Sequence, residues 1–187
     1  MLAAIAGVVH GLVKAVVSDA IENGGEYGWE YVCAVVNDCS QHTESLDSLV
    51  GHIESEAVRN RMEAMFEKLG GSIFESAEKC CSELIRIAFS CLDAHIATLF
   101  VSQAHNLNII VCTLVDYLSD YSAGIHDFYY VKLSSLLLQS LVTIYLQKLV
   151  AGLHKYDQQE YGTNRISTFD FEDDREQIVK GFQNANR

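Results

Sequence analysis

Proline is missing altogether: none occurs in 187 residues, where ordinary usage of about 5% would place roughly nine. Because proline breaks helix interiors and marks structured turns, its absence predicts long helices joined by few ordered loops. Sustained apolar–polar alternation is missing too, so strands are not expected. Basic side chains are scarce, 13 against 25 acidic, for a net charge of −12. That balance leaves no basic stripe for DNA or RNA, and an anionic membrane would repel most of the chain. Proteins are the default partners. The six cysteines include no C-x-x-C pair, and the adjacent Cys80 and Cys81 would point in different directions on a helix. A disulfide scaffold is therefore not expected, and buried free thiols in a reducing cytosol are. Long apolar runs are short of spanning length as well. The first 17 residues are apolar apart from His10 and Lys14, but they lack the basic start of a signal peptide and the ~20 residues of a membrane span. They read as a buried helix, with Leu2, Ile5, Val9, Leu12 and Val16 facing inward. The uncharged run Leu133–Gln147 would cover only about 22 Å, so no transmembrane segment is predicted.

What is present is a core. Hydrophobic residues make up 49% of the chain and charged residues 20%, a globular composition. The stretch Leu107 to Leu153 is the densest part. On a helical wheel Tyr130, Leu133, Leu137, Leu138, Leu141, Val142, Ile144, Tyr145 and Leu149 fill an arc of about 200°, opposite Lys132, Ser135, Gln139, Thr143 and Gln147. So wide a stripe predicts a helix wedged between two neighbours. Before it, a first helix over about Leu2–Glu22 should stop at Asn23-Gly24-Gly25. A second should start near Glu26 and fade around Asn37–Thr43, and helical spacing resumes over Glu44–Leu69. Gly70-Gly71 should break it, with Ser72 and Glu75 boxing the start of a new helix that ends near Ser102. Gly124 and Asp127 predict an interruption around Ser122–Asp127. The expected organisation is a single all-α domain: a helical bundle over residues 1–156, a polar connector over 157–171, and a short C-terminal helix and tail over 172–187. Asp170 could cap that last helix, whose acidic first turn suits the positive end of its dipole.

Constellations for chemistry are weak. Cys91 and His95 could share a helix face with His105 nearby, but a zinc site needs further convergent ligands. Cys39 and His42 lack an orienting third group. The acidic run Asp170–Glu176 lacks the glycine and terminal glutamate of a calcium loop. No phosphate-binding glycine loop, nucleophile elbow or H-E-x-x-H is present. The chain is expected to be no enzyme, with no cofactor, metal or small-molecule substrate. A helical ligand- or metal-binding regulator using the cysteine and histidine set is the alternative.

One pattern goes further. Residues Thr113 to Tyr121 have the form T-x-x-D-Y-x-x-D-aromatic, with Asp116, Tyr117 and Asp120 at its fixed positions. The cluster Phe128-Tyr129-Tyr130 with Lys132-Leu133 follows, then Leu141-Val142-Thr143-Ile144-Tyr145-Leu146 and the acidic, arginine-containing segment from Phe171 to Gln183. Upstream, Tyr31 to Cys39 matches Y-x-x-A-x-x-N-[DN], and Leu84 to Phe100 matches the helix before the D-Y motif. Together these resemble the C-terminal region of exocyst complex component three, a tethering-subunit family that includes tumour necrosis factor alpha-induced protein two.

The resemblance implies an elongated antiparallel bundle, part of a stacked helical rod. Its implied role is that of a non-enzymatic subunit binding other tethering-complex subunits and SNARE-type fusion proteins in exocytosis. The implied location is cytoplasmic, peripherally recruited to plasma membrane or secretory vesicles. Family members are several-fold longer, so a C-terminal fragment or truncated homologue is expected. A lipid-binding relative would need a basic patch, which the charge disfavours. Thr113, Asp116, Tyr117, Asp120, Tyr130, Val142 and Tyr145 are motif positions with a structural role. Asp116 and Asp120 are expected to have a packing or polar-tie role rather than one in binding, and Tyr117 and Tyr145 to be core residues whose hydroxyls reach a partner. Candidate partner contacts are Tyr156, Tyr161, Phe169, Phe171, Glu172 and Asp173, since aromatic side chains anchor interfaces.

Overall fold

A computed structural model of the chain describes residues 2–100, 106–157 and 171–185. It is 92% helical and has no strand among the described residues. Among the described residues seven helices follow in order: α1 (Leu2–Tyr27), α2 (Trp29–Gly51), α3 (Glu56–Ser90), α4 (Asp93–Thr98), α5 (Leu107–Gly124), α6 (Asp127–Asp157) and α7 (Phe171–Ala185). The chain forms two compact units, one of Met1–Leu84 with Gly124–Tyr129 and one of Ile85–Ala123 with Tyr130–Arg187.

In the first unit α1 and α2 make an antiparallel hairpin that turns at Gly28, whose φ of 95° suits a residue without a Cβ. The predicted stop at Asn23-Gly24-Gly25 does not occur, and α1 continues to Tyr27. Gly24 serves close approach instead: a Cβ there would stand 2.7 Å from Val32 Cγ2. Beside it the Tyr31 hydroxyl donates to Asp19 Oδ2 at 2.6 Å and Asn23 Nδ2 to Asp19 Oδ1 at 2.8 Å. These two bonds, that from Tyr31 first, hold the Asp19 carboxyl below its usual range.

The other two predicted breaks are also absent. The second helix is continuous to Gly51, and α3 runs through Gly70-Gly71. Ile73 and Ala77 are wholly buried just beyond the glycine pair, and that packing outweighs the roughly 1 kcal/mol that each helical glycine costs. Ser72 does not open a helix. Its Oγ lies 3.2 Å from His10 Nδ1. The real break falls at residues 52–55, where Arg59 Nε donates to the Ile53 carbonyl at 3.0 Å.

The inner face of α1 also differs from the prediction. Val13, Val17 and Ala20 are buried, whereas Leu12 is 62% and Val16 41% exposed. Val9 is half-buried, and the side chains of Leu2 and Ile5 lie outside the description. One residue is 100° on the wheel, and the face turned inward is the one that carries the fully buried Ala20.

The predicted interruption before α6 is present. Asn37 bridges it, donating Nδ2–H to the Gly124 carbonyl at 2.7 Å and accepting the His126 N–H at 2.9 Å. Phe74 packs against Phe128 and Tyr129, each with ring centroids 6.1 Å away. Cys33, Cys39, Cys80 and Cys81 are buried free thiols in this unit.

In the second unit the helix expected to reach Ser102 gives way to the short α4. Phe100 then takes a φ of 61°, and its buried ring meets Tyr145 edge-on at 5.0 Å, which offsets the backbone strain. Leu107, Ile110, Leu114 and Leu118 of α5 and Leu133, Leu137 and Leu141 of α6 are completely buried. The arc predicted for α6 is narrower in fact, because Val142 is exposed, as are Leu146 and Val150 beyond it. By length and composition Asp127–Gly152 would suffice to cross a membrane, with a mean hydropathy of 1.3, contrary to what the uncharged run alone suggests. Only 22% of the tested window is buried, and the polar ties described below hold α6 to α7.

Two alanine substitutions should have opposite signs. Gly24→Ala should lower stability by about 1–3 kcal/mol, because stiff Val32 must move. Gly71→Ala has nothing within 4 Å of the new methyl and should add about 0.5–1 kcal/mol; thermal denaturation reads both. Burial, more than the neighbouring thiols and carboxylates, pushes Cys33, Cys80 and Cys81 up to about 12 and Cys39 to about 11, against an ordinary 9.0. An alkylating reagent at pH 8 should therefore label only exposed Cys91 and Cys112 in the native chain, and all six after unfolding. The unfolded thiols ionise near 9.0 and the folded ones do not. Their contribution is thus complete below that pH and is lost as pH rises toward about 11–12, which a denaturation series above pH 8 would follow.

Candidate interaction surface

The C-terminal helix α7 is seated by side chains spaced along its sequence. Ile178 and Phe182, one turn apart, are buried. Gly181 lets the helix approach α5, since a Cβ there would stand 2.6 Å from Val111 Cγ1. Two tyrosines of α6 hold the ends. Tyr145 donates to Asp174 Oδ2 at 2.6 Å, and Tyr130 donates to the Ala185 carbonyl at 2.7 Å. The earlier tyrosine meets the later residue of α7, so the two helices are antiparallel.

Asp174 is only 2% exposed. Two features offset the desolvation of its carboxylate: the Tyr145 hydroxyl, and a place in the first turn of α7, where the dipole favours negative charge. Burial first, and then the bond to Asp174, push the Tyr145 phenol far above its ordinary value. Burial also raises Tyr130.

This seating leaves an outer face on α7. Phe171 is 42% exposed with its ring 6.4 Å from that of Phe100, Val179 about two turns further on is 43% exposed, and Glu172 and Asp173 are exposed. Arg175 pairs with Glu172 and Lys180 with Glu176; exposed pairs of this kind add little to stability. An exposed aromatic and an exposed valine flanked by carboxylates can serve recognition.

The other expected contacts, Tyr161 and Phe169, lie outside the described residues, as do most of the polar connector, Asp170, His105 and the Tyr156 side chain. Of the motif positions, Thr113 is half-buried, and Asp116 and Asp120 are exposed. Tyr117 is partly buried, with Cys91 Sγ 4.0 Å from its hydroxyl, and its phenol is raised by burial and by that thiol. The fully buried ring is that of Tyr121, 5.8 Å from Tyr117. The structure thus brings Tyr130 and Tyr145 together with α7. The partners Asp174 and the Ala185 carbonyl escape sequence reasoning, although an aspartate in the first turn of an amphipathic helix is a signal for the former. Among the described residues no three His, Cys, Asp or Glu side chains converge to hold a metal ion.

Tyr145→Phe removes one donor from a buried carboxylate and should cost about 1–3 kcal/mol. Amide exchange should rise in α7 before it rises in α5.

The model of one protein family, described as exocyst complex component Sec6, matches residues 12–187. No curated protein matches the chain, and no solved structure does. The match takes in the D-Y motif, both tyrosines that seat α7 and α7 itself. The chain belongs to the exocyst complex component Sec6 family and so to the subunits of a vesicle-tethering complex in exocytosis.

Proposed function

We propose that the chain corresponds to the C-terminal region of exocyst complex component three, within a kinship that also takes in tumour necrosis factor alpha-induced protein two. It acts by surface recognition, binding other subunits of the complex and SNARE-type fusion proteins without making or breaking a bond. The family match over residues 12–187 carries this reading, and the T-x-x-D-Y-x-x-D run at Thr113–Asp120 supports the finer assignment. The bundle belongs to a stacked helical rod, cytoplasmic and recruited peripherally to plasma membrane or vesicles through its protein partners. A net charge of −12 favours such indirect recruitment over direct contact with anionic lipid.

The proposed partner surface is the outer face of α7, with Phe171 as apolar anchor and Glu172 and Asp173 setting the sign of the partner's charge. Tyr156, Tyr161 and Phe169 extend that surface in the proposal. Purified chain mixed with the purified remaining exocyst subunits should co-elute with at least one of them. Phe171→Ala combined with Asp173→Lys should weaken that association by about tenfold or more, about 1.4 kcal/mol, at unchanged helicity. Anionic vesicles alone should not sediment the chain. Failure to associate with any exocyst subunit would overturn the reading.

A further inference from the structure

A second surface lies on the α1–α2 hairpin, in the first unit, whereas α7 belongs to the second. Val13 and Val17 of α1 are buried, and with Val35 and Cys39 of α2 they floor a groove. Leu12 and Val16 form one wall, and Asp38 and His42 mark the other. Its volume is about 140 Å³, room for an apolar side chain or two but too little for an ordinary small-molecule ligand.

The crest beside the groove is apolar as well. Val8 is 63% exposed and Leu12 62%, and with Val16 they repeat every four residues over about 12 Å of helix. Nothing lies within 4 Å of where a Cβ at Gly7 or Gly11 would stand, so another backbone can come close along the same helix. A periodic crest above a shallow slot matches the i, i+4, i+7 anchors of an amphipathic helix.

Charge selects among occupants. The hairpin carries seven carboxylates and one lysine, and α2 has no Lys or Arg at all. Lys14, the single cation, lies on the side of α1 toward α3, in a separate pocket with Glu75 and Lys79. Asp38 therefore stands at the groove with no cation on either helix to answer it from the rim. A second copy of the chain would bring the same excess of carboxylates, and an anionic bilayer would bring phosphates, so both are repelled.

We infer that the α1–α2 groove is a docking site for an amphipathic helix of a protein partner, with an apolar stripe seated over Leu12 and Val16 and lysines or arginines flanking it toward Asp38. The site goes beyond the α7 surface, and because its test uses a peptide, it stands or falls apart from association with exocyst subunits.

The probe is a labelled peptide of about six helical turns, with leucines on one face and lysines on its flanks, titrated against the full 187-residue chain by fluorescence anisotropy. A twin peptide has glutamates in place of lysines. The lysine peptide should bind in the micromolar range, and the glutamate twin about tenfold or more weaker. Leu12→Glu should weaken the lysine peptide about tenfold although it adds a negative charge, an effect that purely electrostatic attraction would reverse. Val8→Glu, at another exposed position, should act in the same direction, and Asp38→Lys should narrow the preference for lysine over glutamate flanks. Circular dichroism confirms that the variants are folded. Equal binding to wild type and to folded Leu12→Glu would overturn the proposal. So would a wild-type dimer in sedimentation that Leu12→Glu dissolves, or retention of the wild type, but not Leu12→Glu, on phosphatidylserine vesicles.

Discussion

A carboxylate withdrawn from water must be met by donors or by a favourable field, and Asp174 is met by both. The Tyr145 hydroxyl reaches it at 2.6 Å, and it occupies the first turn of α7, where unsatisfied N–H groups gather. A buried polar contact of this kind fixes register in a way that leucine packing alone does not, since apolar side chains tolerate small slides. With Tyr130 bonded to the Ala185 carbonyl, the rotation and the longitudinal position of α7 are both determined. The outward placement of Phe171, Glu172 and Asp173 follows from that determination.

The legible part of the fold was the part written in composition and local spacing. Absent proline announced helices, and Gly124 followed by Asp127 announced the junction between α5 and α6. The glycine doublets misled because helical propensity is a matter of about 1 kcal/mol, which buried Ile73 and Ala77 easily override. At Gly24 the missing side chain marks a crossing point and not an end. The face of α1 was misjudged because Leu12 and Val16 are as apolar as Val13 and Val17, and composition does not rank one valine above its neighbour.

Site residues followed the same division. Tyr130 and Tyr145 were visible as motif positions, yet their partners lie 55 and 29 residues away, and no local pattern pairs them. Asn37 was visible only as part of a motif, and its work as the bridge to Gly124 and His126 spans 87 and 89 residues. Asp116 and Asp120 were conspicuous in the pattern and are exposed in the fold, so a memorable motif letter need not be an interior one. Among the thiols, Cys33, Cys39, Cys80 and Cys81 are buried and kept protonated by that burial, which leaves Cys91 and Cys112 as the exposed ones.

The bridge made by Asn37 bears on how the chain is made. The first unit is discontinuous, and it includes residues Gly124–Tyr129, which are translated well after Leu84. At ordinary synthesis rates of about 5–20 residues per second, the intervening stretch takes roughly 2–8 s to emerge. Throughout that interval Asn37 has no Gly124 carbonyl to meet, and the Phe74 ring has neither Phe128 nor Tyr129 against it. The nascent hairpin and α3 must wait at the ribosome with part of their apolar surface open, a window in which a chaperone has something to hold.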